Sequence, residues 1–197
     1  MAHAEAHAHP ATSTGIDNRK LAIWTFIGSE CLFFASLIST YLVYKGKSLV
    51  GPFPKDIFEI PLVTFGTALL LFSSLFVVLS LNAAEQGNRK KTILWLGLTI
   101  TCGLFFIGMQ VYEFSHFFHK GLTMQGNLFG ASFYTLTGFH GVHVAVGIIM
   151  LLSLVAMLAK GKLVGEKSET VEMIGLYWHF VDIVWILIFT LVYLIPA

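Results

Sequence analysis

The chain has 197 residues, 56% of them hydrophobic and 12% charged, with a mean hydropathy of +0.77 and a formal net charge of +1. Soluble domains carry roughly a quarter charged residues, so this share leaves too little polar surface to wrap a water-soluble fold. No basic stripe exists to face phosphates, which excludes a nucleic-acid partner. Lipid is the expected solvent, and the expected fold is all-α: a polytopic bundle of five transmembrane helices.

Residues 1–19 are polar and carry His3, His7 and His9 in an Ala-rich setting. They contain no apolar core of a signal peptide and cannot bury one, so they are predicted to form a disordered cytoplasmic tail. Residues 20–197 form the membrane domain. A spanning helix needs about 20 mostly apolar residues. The first helix is predicted over 21–44 with a single charge, Glu30, and the second over 60–81 with none. The third, 92–115, is an apolar run from Thr92 to Tyr112 closed by Glu113. The fourth, 128–159, is longer than one crossing requires, so it must tilt or project from the bilayer. The fifth, 173–195, contains only Asp182 as a charged group. These runs are continuously apolar, without the alternation of a barrel strand. Cys31 and Cys102 fall inside them and read as small apolar fillers. Ala35 with Ser39, and Gly141 with Ala145, are spaced four apart, which would let two backbones approach closely.

Charges between the spans set the orientation. Arg19, Lys20, Arg89, Lys90, Lys91, Lys160, Lys162 and Lys167 fall on one side, and Lys45, Lys47, Lys55 and Lys120 on the other. The positive-inside rule places the N-terminus in the cytoplasm and the C-terminus outside. Trp24, Trp95 and Trp178 then sit at the inner boundary, and Tyr41, Tyr44, Tyr112 and Tyr193 near the outer one.

An acidic residue at the centre of a span costs about 2.5–3.5 kcal/mol on insertion scales, so each needs a partner or a task. Glu30 and Asp182 each lie nine residues into their helices from the inner side, roughly 14 Å deep. His179 is one turn from Asp182, and His140 and His143 fall in the same half of helix four. Glu30, His140, His143, His179 and Asp182, with Trp178 beside them, are expected to form one polar layer. The residues leave its use open. They can hydrogen-bond one another and hold helices four and five together, line a lipid-filled or protonatable cleft, serve a small proton-coupled transporter, or ligate a b-type haem through His143 and His179. Glu113 and His116 form a second polar pair at the outer end. Their Glu-x-x-His spacing matches a di-iron element, but the other acids of the spans are half a bilayer away, which rules that reading out. No phosphate-cradling glycine loop, nucleophilic serine elbow or paired-cysteine copper motif is present.

Four stretches carry a resemblance. Trp24-Thr-Phe-Ile-Gly-Ser-Glu30-Cys-Leu-Phe-Phe34, Phe106-Ile-Gly-Met-Gln-Val-Tyr-Glu113-Phe, Gly138-Phe-His140-Gly-Val-His143-Val and Tyr177-Trp178-His179-Phe-Val-Asp182-Ile-Val-Trp185 are similar, in that order, to helices of subunit III of the haem-copper terminal oxidases. The likeness runs over about residues 20–197. It implies a non-catalytic subunit with no haem or copper of its own, those groups belonging to partner subunits. It also implies packing against the catalytic subunit I, phospholipids held in a V-shaped cleft, and support for proton uptake by a complex that reduces oxygen to water. Glu30 matches the family's buried cleft carboxylate, and His140, His143, His179 and Asp182 match its other polar positions. The five-helix form lacks the first two helices of the mitochondrial pattern, which implies a bacterial plasma membrane over a mitochondrial inner membrane. Lys55-Asp-Ile-Phe-Glu-Ile-Pro61 resembles the quinol-oxidase branch, whereas Glu30, often Asp in that branch, inclines the reading to cytochrome c as electron donor.

Overall fold

The computed structural model describes residues 18–45, 47, 59–161 and 167–195. The tail histidines, residues 55–58 of the loop before the second helix, Lys162 and the last two residues lie outside them. The described residues contain five helices long and apolar enough to cross a membrane. These are α1 (Asn18–Tyr44), α2 (Ile60–Glu85), α3 (Arg89–His119), α4 (Leu128–Ala159) and α5 (Lys167–Phe189). A π-helical turn, Thr190–Leu194, completes α5. The near end of the bundle is taken as the one where α1 starts, and the far end as the one where it stops.

Several helices run past their apolar stretches because polar groups satisfy the backbone at their tips. Asn88 accepts from Lys91 N at the start of α3 (3.2 Å), and Asn127 from Gly130 N at the start of α4 (2.6 Å). Residues 86–88 alone join α2 to α3, which requires Gly87 at φ 69. Arg89 donates to the Ala159 carbonyl at the end of α4, and Lys20 pairs with Glu172 at 3.0 Å, so two basic groups of the near end tie helices together. At the far end Lys45 Nζ donates to Leu191 O (2.9 Å) and Ile195 O (2.6 Å), satisfying carbonyls that the end of a helix leaves open.

The packing order follows from which faces carry small residues. α2 and α3 form the most extensive pair; α5 packs on α2, α4 and α1, and α1 packs mainly on α4 and α5. Consequently α5 is the most enclosed span and α1 the least. Close approach is concentrated at Trp178, whose ring lies in a slot between Gly103 of α3 and Gly147 of α4. A methyl group on either glycine would stand 2.7 Å or 2.9 Å from that ring. Gly175 of α5 meets Val77 of α2 in the same way. The spaced pair Ala35 and Ser39 does not bring two backbones together: both residues are exposed and line a groove between α1 and α5. Gly141 makes room for a side chain, that of Gln110.

Candidate functional site

Sidedness of aromatic residues gives the first departure from expectation. Trp24, Tyr44 and Tyr112 face outward, whereas Trp178, Tyr41 and Tyr193 are buried in the bundle. Trp178 meets Gly103 of α3, Gly147 of α4 and Ser73 of α2 well inside those helices and not at a boundary, and a position along a helix does not specify rotation about its axis.

The expected single polar layer divides into separate centres. In the first, Glu30 Oε2 of α1 lies 3.0 Å from His143 Nε2 of α4. The other ring nitrogen, Nδ1, lies 2.7 Å from Phe139 O. A carbonyl only accepts, so Nδ1 carries a hydrogen. The Glu30 carboxyl and the His143 imidazole are thus hydrogen-bonded to each other, which spares both the cost of an unpaired polar group in an apolar span. Tyr177 of α5 donates to the His143 carbonyl (3.1 Å), and the Phe34 ring packs edge-on against the imidazole at 4.8 Å.

In the second centre the organising residue is Ser74 of α2. His179 Nδ1 lies 2.9 Å from Ser74 Oγ, and that hydroxyl donates to Asp182 Oδ2. The serine has one hydrogen, so His179 Nδ1–H must donate to it. The result is a directed chain, His179 to Ser74 to Asp182. His179 lines the α1/α5 groove while Asp182 is buried, so the chain runs from the groove into the bundle. These groups therefore tie α5 to α2, and Glu30 ties α4 to α1, while helices four and five are joined here through Tyr177 and the His143 carbonyl.

His140 belongs to neither centre. It is fully buried, stacked on Trp185 at 4.9 Å and flanked by Phe106 and Phe34. Trp178 donates its indole N–H to Ser73 (2.9 Å), and Trp185 donates to Thr67 (2.9 Å). At the far end Tyr193 donates to Glu113 Oε2 (3.0 Å), and His116 Nε2 approaches Glu59 Oε1 at 3.4 Å with its ring stacked on Tyr112. Glu113 and His116 thus turn to different partners despite sharing a helix.

Sequence reasoning missed Ser74, Ser73, Thr67, Gln110 and Glu59. A signal existed for three of them. Hydroxyls at 67 and 74 repeat with the seven-residue spacing of Trp178 and Trp185, and Ser73 adjoins them. Hydroxyls in spans usually bond their own helix, as Thr67 does to Val63 O (2.8 Å), which hides their second role as acceptors. Beside these centres, the groove between α1 and α5 encloses about 560 Å³, lined mainly by apolar side chains with His179, Cys31 and Ser39 among them.

The sequence profile of the family described as cytochrome c oxidase subunit III matches residues 3–196. The chain is 41% identical over 177 residues to cytochrome c oxidase subunit 3 of Bacillus sp. (strain PS3), covering 90% of this chain and 86% of that one. It is 38% identical over 196 residues to cytochrome bo(3) ubiquinol oxidase subunit 3 of Pseudomonas aeruginosa, covering 100% of this chain and 94% of that one. Quinol oxidase subunit 3 of Bacillus subtilis (strain 168) is 36% identical over 174 residues, covering 88% and 85%.

Proposed function

Because the chain belongs to the cytochrome c oxidase subunit III family, we propose that it is the accessory, cofactor-free subunit of a proton-pumping oxidase that reduces oxygen to water. The match along nearly the whole chain carries this reading. It stabilises the catalytic subunit I, binds phospholipid in the α1/α5 groove and supports proton uptake through the Glu30–His143 pair. The groove supports lipid binding because it is lined mainly by apolar side chains, with His179, Ser39 and Cys31 among them. The hydrogen bond of Glu30 to His143 supports a role in proton transfer, since it joins a carboxyl directly to an imidazole. A haem held by His143 is disfavoured, because both ring nitrogens already face Glu30 and Phe139 O. The near end, richer in basic residues, faces the cytoplasm of a bacterium, in keeping with the bacterial relatives. Cytochrome c is the proposed donor, on the strength of Glu30.

Gentle detergent extraction followed by identification of what accompanies the chain tests the assignment. Co-purification with a larger haem-bearing subunit is expected; stoichiometric bis-histidine haem on the isolated chain would overturn it. Turnover of the isolated complex with reduced cytochrome c and with quinol identifies the donor.

A further inference from the structure

We propose that the far half of the bundle binds one ordered water molecule in a cavity between α2, α3 and α5, held by Glu113 and Gln110. The cavity encloses about 20 Å³ and is bordered by Gly66, Met109, Gln110, Glu113 and Trp185 among others. A single water needs about 10–15 Å³ of such space, so one fits and two do not. Glu113 is only 6% exposed; its Oε2 accepts from Tyr193, whereas Oε1 has no partner among the described residues. Leaving a buried oxygen in that condition is costly, and the cavity at its side is where the missing partner fits. Gln110 Nε2 donates one hydrogen to Thr137 O (2.7 Å) and has a second to give. The Trp185 N–H is committed to Thr67, and the remaining lining is apolar. Glu113 and Gln110 are therefore the polar partners available, and two is the minimum a buried water requires. A divalent metal ion, which asks for about four to eight ligands, cannot be satisfied there.

The site does not depend on the oxidase assignment, and neither does its test. In water-edited solid-state NMR of the isotopically labelled full chain in lipid, magnetisation should pass from water to the Glu113 carboxyl carbon and the Gln110 amide. Gly66→Ala directs a methyl group into the cavity, 3.1 Å from the flexible end of Met109, and should reduce that transfer to background with the rest of the spectrum unchanged. Gln110→Leu, which removes one partner, should do the same to Glu113. Absence of transfer in the wild-type chain, or undiminished transfer in the variants, would overturn the proposal. If neither variant folds, a density map of the wild-type protein at a resolution that shows waters decides it: a peak at hydrogen-bonding distance from Glu113 Oε1 supports the site, and an empty cavity sinks it.

Discussion

At the residue scale, each acid of the spans is answered by a neutral or neutralising partner on another helix. Glu30 meets His143, Asp182 meets Ser74, and Glu113 meets Tyr193. The expected cost of losing a partner follows from this. His143→Leu strands the Glu30 carboxyl in an apolar span and should lower stability by about 1–3 kcal/mol. The double variant Glu30→Leu/His143→Leu removes both polar groups and should recover much of that loss. Unfolding of the four members of this cycle in mild detergent measures the coupling; additive losses would show that the pair is not coupled. Ser74→Ala leaves both His179 and Asp182 without their shared hydroxyl, and a similar loss of about 1–3 kcal/mol is expected in the same assay.

At the element scale, stability is concentrated along α5, which brings Trp178, His179, Asp182 and Trp185 against hydroxyls of α2. The slot for Trp178 leaves no room for a methyl group on Gly147, which would stand 2.9 Å from the ring. Gly147→Ala should therefore destabilise the chain by about 1–3 kcal/mol through overpacking. Gly138, on the same helix, has nothing within 4 Å of such a methyl group. Gly138→Ala should be neutral or gain up to about 1 kcal/mol from helix propensity. Thermal denaturation of the two variants side by side separates packing from propensity. The short connection through Gly87 and the cap at Asn88 explain why α2 and α3 extend beyond their apolar runs, while the cap at Asn127 fixes the start of α4 at the predicted Leu128.

At the scale of the whole molecule, α1 packs mainly on α4 and α5, and the groove it leaves against α5 is an apolar concavity of about 560 Å³. If that groove holds acyl chains, Ala35→Phe, which fills it from a position exposed on α1, should lower the amount of phospholipid retained after purification. Native mass spectrometry of the variant and wild-type protein provides the comparison; equal retention would place the lipid elsewhere. The same exposed face of α1 is consistent with the proposed packing against a larger subunit, since an isolated bundle gains little from so lightly attached a helix.

The sequence by itself determined the number of spans, their approximate limits and which side chains violate the apolar rule. These are local properties: a run of apolar residues either is or is not long enough to cross the hydrocarbon core. Position along a helix is equally local, since a fixed rise per residue converts residue number into distance along the axis. What only the tertiary structure decided was who faces whom. Each residue turns the side chain by about 100° around the helix, so two groups at one depth meet only if both helices are rotated correctly. That rotation is set by packing: Trp178 in its glycine slot and Val77 against Gly175 aim His179 and Asp182 at Ser74, while the rotation of α4 gives His143 to Glu30 and seals His140 among aromatic rings.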